Sequence, residues 1–263
     1  MDLGLGGAAA VVVGGTRGMG LAAAQCLAAE GCRVAVVGRD AARLAEAAKT
    51  LSDASCPCPL ELRADVGSGA EVDAAFESVR AAWGELNILI NAVGPSGAGA
   101  FEELSDADWT AALDRGALSA VRCTRAALPL LRAARWARIV NVTAMSVQHQ
   151  LPYLVSYTAA KSALLSVTKN LARSLAPDGI LVNAVAPGAI LTDWAKPTLR
   201  AAGVSDTDPV AAFDVLSGHG AGADLRRLGL PAEVAAVIAF CASQRNSFMT
   251  GAHINVDGGS DFL

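Results

Sequence analysis

The stretch Ala8-Ala9-Ala10-Val11-Val12-Val13-Gly14-Gly15-Thr16-Arg17-Gly18-Met19-Gly20 decides how the chain folds. Residues 8–13 are apolar without alternation, the pattern of a strand buried on both faces. They run straight into glycines spaced GxxxGxG at Gly14, Gly18 and Gly20. A helical pattern over 18–29 and a second apolar run over 33–37 follow. Glycines at a strand-to-helix turn let backbone N–H groups approach a phosphate, whose charge then rests on the helix N-terminus. The order strand, turn, helix, strand therefore predicts a dinucleotide-binding unit, with Gly14, Thr16, Arg17, Gly18, Met19 and Gly20 at the phosphates.

The alternation continues outward from this unit. Apolar runs at 60–64, 87–90, 138–143 and 180–186 lie between helical patterns at 41–51, 69–83, 106–134, 152–176 and 231–242. Asp40 and Ser105 stand where N-caps belong, and Asp108 completes a capping box with Ser105. The expected fold is α/β: a single Rossmann-type domain over 1–263, built on a doubly wound parallel sheet of about seven strands with helices on both faces. There is no internal repeat or dividing linker. Residues 192–230 lack a clear period and contain Pro197, Gly203, Pro209, Gly218, Gly220 and Gly222. So long an excursion late in an α/β chain is expected to be a lid over the substrate.

Composition excludes several classes. Of 263 residues, 21 are Lys or Arg and 25 are Asp or Glu, a net charge of −4 with no basic field for nucleic acid or anionic membrane. With 53% hydrophobic and 17% charged residues the chain is too apolar to be disordered. Its longest charge-free stretch, 139–160, is broken by Asn141, Gln148, His149, Gln150 and Pro152, so no spanning helix is expected. Asp2 and the lack of a basic start argue against a secretory signal. The six cysteines show no CxxC pairing and read as reduced thiols of a cytoplasmic protein. His149, His219 and His253 have no ligand spacing, so no metal is expected.

Two further constellations carry chemistry. About 20 residues past the glycines, where an acid would grip a ribose 2′-hydroxyl, the chain reads Gly38-Arg39-Asp40. Arg39 and Arg17 can clamp a 2′-phosphate, which predicts NADP(H) rather than NAD(H), with Asp40 as the helix cap. Tyr157 and Lys161 lie one helical turn apart on one face. A cation beside a phenol favours its phenolate, so the pair can move a proton to or from a substrate oxygen.

Together these marks resemble the short-chain dehydrogenase/reductase family over nearly the whole chain, in particular its 3-oxoacyl reductase-like members. Further matches are Asp65-Val66, Asn91-Ala92-Val93-Gly94, Asn183, Pro187-Gly188, the segment Arg227 to Val234, and Val256-Asp257-Gly258-Gly259. The resemblance implies that Asp65 and Val66 meet the adenine, that Asn91 and Gly94 support the cofactor site, and that Lys161 holds the ribose while lowering the Tyr157 pKa. It places Pro187, Gly188, Ile190 and Thr192 at the carboxamide and pyrophosphate. It also implies hydride transfer between nicotinamide and a ketone or secondary alcohol, such as a 3-oxoacyl thioester, and a homo-oligomer, dimer or tetramer, packed through 106–134 and 152–176.

The chain departs from the family pattern at three positions. Ala92 replaces an Asn. Gly116 stands at the helical active-site Asn, whose main-chain carbonyl it keeps. Ala144 stands 13 residues before Tyr157, where the family has its catalytic Ser. On an extended strand end Ser146 shares the side of residue 144 while Thr143 faces away, which makes Ser146 the candidate to polarise the substrate oxygen. Met145, Val147, Tyr153 and Trp194 are the candidate pocket for an apolar carbonyl substrate. Gly116 and Ala144 also leave open a regulatory or scaffold member of the fold with impaired catalysis.

Overall fold

The computed structural model describes residues 2–53, 56, 58–95, 99–217 and 222–260. Seven parallel strands form one sheet: β1 (Ala9–Val13), β2 (Arg33–Gly38), β3 (Leu60–Arg63), β4 (Ile88–Asn91), β5 (Ala137–Val142), β6 (Ile180–Pro187) and β7 (His253–Val256). Their order is β3-β2-β1-β4-β5-β6-β7, so the chain reverses direction across the sheet between β1 and β4. Strand β7 lies outside the six apolar runs read from the sequence. Its four residues are only half buried at the sheet edge, which weakens the apolar signal that marks the others.

The pleat sends alternate side chains of each strand into separate cores. Ala10 and Val12 of β1 join one core with α1 (Gly18–Ala29), α2 (Ala41–Asp53) and α9 (Pro231–Ala242). Ala9, Val11 and Val13 join the other with α3 (Gly69–Trp83) and α5 (Ser119–Ala133). Both faces are covered, which is why the strand signal is continuous.

Two helical readings need correction. The expected single helix over 106–134 is α4 (Asp106–Leu113), one π-helical turn at Asp114–Leu118, and α5. The turn forms around Gly116, where an added Cβ would lie 2.6 Å from the Ala160 Cβ and 3.1 Å from Pro95. The segment 192–230 is not aperiodic either. It contains α7 (Lys196–Ala201) and α8 (Pro209–Leu216), which share a small core of Leu191, Ala195, Leu199, Ala212, Leu216 and Leu228. Helices this short complete too few turns to show a period, and their prolines sit at helix starts, where a missing N–H costs nothing. Residues 218–221, with His219, lie outside the described residues.

Both caps form. Asp40 Oδ1 accepts from the N–H groups of Ala42 and Arg43 at 2.9 and 3.2 Å. Ser105 and Asp108 exchange the two bonds of a capping box. The helix expected over 152–176 is α6 (Val155–Ser174).

Candidate active site

A cleft of about 560 Å³ opens at the carboxyl ends of β1 to β4, where the strand order reverses. The first turn lines it with Gly14, Thr16, Arg17, Gly18, Met19 and Gly20. Gly14 takes φ +78°, and a Cβ at Gly20 would collide with the Gly14 carbonyl, so the turn closes only with glycine at both. Arg39, Asp65, Val66, Gly94 and Thr192 complete the expected set on the wall.

Other expected residues lie behind the wall or beside it. Asn91 is buried below it, and its amide donates to Asn141 Oδ1 at 2.8 Å and Thr124 Oγ1 at 3.4 Å. Asn141 in turn donates to Thr168 Oγ1 of α6 at 2.9 Å, so a polar chain crosses the core beneath the site. Pro187 ends β6, and Gly188 follows with its N–H donating to the Val256 carbonyl. Ile190 is buried and pairs with Gly229, closing the base of the segment that carries α7 and α8.

The arginines at the cleft have acidic neighbours. Arg17 pairs with Asp193 at 3.3 Å and Arg39 with Asp65 at 3.9 Å, all four side chains at least 45% exposed. Pairs so exposed are weak and free to reorient toward a bound phosphate. Sequence reasoning missed Arg43, Arg115 and Asp193, which also line the cleft. Arg43 was recoverable, because a helix capped by Asp40 puts it in the first turn beside Arg39. Arg115 was not, because only the π-helical turn brings it to the wall.

Lys161 is buried on α6, and its Nζ donates to the carbonyls of Val142 at 2.6 Å and Val93 at 3.4 Å. Val93 and Gly94 are wall residues, so the ammonium stands at the cleft's inner edge. It lies 5.9 Å from the centre of the Tyr157 ring. Burial pushes the Tyr157 phenol up to about 12 and the Lys161 ammonium down to about 8. Here the expected lowering of the phenol by the lysine is outweighed by desolvation. The phenol is thus a proton donor at neutral pH, the form that carbonyl reduction uses.

The strand geometry expected at Ser146 is absent. Ala144 is extended, but Met145–Val147 form a single 3-10 turn, so strand alternation stops before Ser146. The hydroxyl nevertheless reaches α6: Thr158 Oγ1 donates to Ser146 Oγ at 3.0 Å. Thr143 faces away as expected, donating to the Val185 carbonyl and meeting His253 Nε2. Of the expected pocket residues, Trp194 lines the cleft, its indole N–H donating to the Ile190 carbonyl at 2.7 Å. Met145, Val147 and Tyr153 are not on this wall; Met145 is buried in the turn after β5, and Tyr153 is 40% exposed. Among the described residues no group of His, Cys, Asp or Glu is arranged to hold a metal ion, and no helix is long and apolar enough to cross a membrane.

A cleft at the switch point of a parallel sheet, a glycine turn on its wall and a lysine ammonium at its inner edge, one turn along α6 from a tyrosine, define an oxidoreductase acting on a carbonyl or hydroxyl group. The chain belongs to the short-chain dehydrogenase/reductase family: residues 13–261 match the family model described as enoyl-(acyl carrier protein) reductase. It is 32% identical over 251 residues to a 3-oxoacyl-[acyl-carrier-protein] reductase of Synechocystis, across 95% of each chain. It is 32% identical over 257 residues to an acetoacetyl-CoA reductase of Cupriavidus necator, across 95% of this chain and 96% of that one. Among solved structures it resembles the L-sorbose reductase of Gluconobacter frateurii complexed with NADPH and L-sorbose, with a TM-score of 0.92, 32% identity and full coverage of both chains.

Proposed function

We propose that the protein is an NADP(H)-dependent reductase of a ketone, of the 3-oxoacyl thioester class. The observation that carries the reading is the Lys161 ammonium seated on the Val142 and Val93 carbonyls, one helical turn from Tyr157 and at the inner edge of the glycine-lined cleft. When bound, NADPH would supply a hydride to the carbonyl carbon. Gly14 to Gly20 would receive the pyrophosphate, Arg17 and Arg39 the 2′-phosphate, and Asp65 with Val66 the adenine. Lys161 holds the ribose hydroxyls, Tyr157 gives its proton to the substrate oxygen, and Ser146 donates a hydrogen bond to the same oxygen. The segment 192–230, with Trp194 facing the cleft, is the lid of a single catalytic domain.

The oxoacyl assignment draws on the two reductase relatives. A ketose substrate is the second reading, favoured by the likeness to L-sorbose reductase. Impaired catalysis has less support, because Tyr157 and Lys161 are in place and Gly116 answers a packing demand from Ala160. A homo-oligomer is supported by Leu113 and Leu118, at 38% and 46% exposure, which offer an apolar contact on the 106–134 segment, and a cytoplasmic location by the free cysteines.

The test is NADPH consumption with acetoacetyl-CoA, L-sorbose, a trans-2-enoyl thioester and a steroidal ketone, with Tyr157→Phe as the control. Tyr157-dependent turnover of acetoacetyl-CoA is expected. Bound NADPH with no turnover of any substrate would overturn the reading.

A further inference from the structure

We propose that Thr158 is a positioning residue, which holds the Ser146 hydroxyl so that its proton is presented to the substrate oxygen; this rests on the reductase reading above. The family serine position is Ala144, whose methyl group is buried and offers no hydrogen bond. Thr143, the hydroxyl before it, is committed to β6 and β7 through the Val185 carbonyl and His253. Ser146 is the hydroxyl after β5 that turns toward the Tyr157 helix.

The direction of the Thr158 bond matters as much as its length. A serine hydroxyl has one proton to give and two lone pairs to receive with. Thr158 donates and Ser146 accepts, so Thr158 occupies a lone pair and leaves the serine's proton for another acceptor. Ser146 and Thr158 are 3% and 4% exposed, so water competes poorly for either group. In such surroundings a hydrogen bond received by a hydroxyl strengthens the one it gives. Thr158 directly follows Tyr157, and its neighbour one turn on, Lys161, is bonded to the Val142 carbonyl four residues before Ser146. The same helical turn therefore sets the ammonium against the end of β5 and the threonine against the serine that follows it. The device also explains how a chain with Ala144 can keep a hydroxyl at the reacting oxygen although its backbone there is a 3-10 turn and not a strand. No proton leaves Ser146 in the reaction; it donates a hydrogen bond while Tyr157 transfers the proton.

The experiment compares acetoacetyl-CoA reduction by Ser146→Ala, Thr158→Val, Thr158→Ser and the double variant Ser146→Ala/Thr158→Val. Losing one donor to a developing oxyanion costs about 100-fold in kcat or more. Ser146→Ala is expected to show a loss of that order, and Thr158→Val, which keeps the shape of threonine, about 10-fold, with the KM for NADPH unchanged in both. Thr158→Ser should recover most of the Thr158→Val loss, and the double variant should be no slower than Ser146→Ala alone. The alkaline limb of the rate profile, set by Lys161, should stay in place in Thr158→Val, whereas a distorted α6 would move it. Thr158→Ala replaces the valine variant if that one does not fold. Losses that multiply in the double variant, or a Thr158→Val rate equal to wild type beside a slow Ser146→Ala, would overturn the role of Thr158 alone. A Ser146→Ala rate equal to wild type overturns both the serine and the threonine assignments, and absence of wild-type turnover with NADPH bound overturns the reductase reading beneath them.

Discussion

At the scale of single residues, Lys161 is expected to set the pH dependence. Its ammonium is held down to about 8 by burial, and in the proposed mechanism its charge holds the ribose. The lysine is charged below that value and neutral above it. Reductive kcat is therefore expected to be level through neutrality and to fall as pH rises past about 8, measured with saturating NADPH. Lys161→Arg should remove that limb at the cost of much of the rate, because a guanidinium does not titrate in this range. Gly116 makes a second prediction. Restoring the family's asparagine drives a side chain into Ala160 at 2.6 Å, so Gly116→Asn should lower stability by about 1–3 kcal/mol in thermal melts without raising turnover.

At the scale of elements, α6 and the interrupted α4/α5 pair organise the site. The helical period makes Tyr157 and Lys161 visible as same-face neighbours in the sequence, and the capping box at Ser105 marks where α4 begins. The π-helical turn is invisible there, because Gly116 yields to a residue on another helix. The link between the 192–230 segment and α9 is a bidentate ion pair: Arg227 donates to both Glu233 oxygens at 2.6 and 2.8 Å. Glu233 also accepts from the Leu230 N–H at the start of α9, and with Arg227 it is held down to about 2. Its folded value lies below the unfolded one, so the stabilisation is present at neutral pH and is lost as pH falls from about 4.5 toward 2. Both side chains are about a third exposed or more, which discounts the pair to about 1 kcal/mol. Glu233→Gln should lower the melting temperature by about 2–4 °C at pH 7, and the difference from wild type should close at low pH.

At the scale of the whole molecule, the cleft exists because four strand ends converge where the sheet changes direction. Its charge comes from side chains far apart in the chain. Arg17 and Arg39, each beside an acid, approach the same cleft from β1 and β2. Replacing both with alanine is expected to weaken NADPH binding by about 100-fold or more, since a hydrogen bond to a charged group contributes about 1.5–3 kcal/mol. NADH binding should change little, and the NADPH preference of the wild type should decline with added salt; fluorescence titration of the two cofactors measures both effects.

The sequence by itself determined six of the seven strands and the long helices between them, the glycine turn, the Tyr157/Lys161 face and the two caps. Each of these is encoded by residues within a few positions of one another, where periodicity and backbone sterics act directly. Only the tertiary structure decided the rest. It set Ala160 against Gly116 within a π-helical turn, and it gathered Pro197 and Pro209 into two short helices on a small core. It also brought Asn91, Asn141 and Thr168 into one buried chain and gave Ser146 to Thr158. Such pairings depend on which elements the sheet order makes neighbours, and that order is a property of the packed molecule, not of any local stretch.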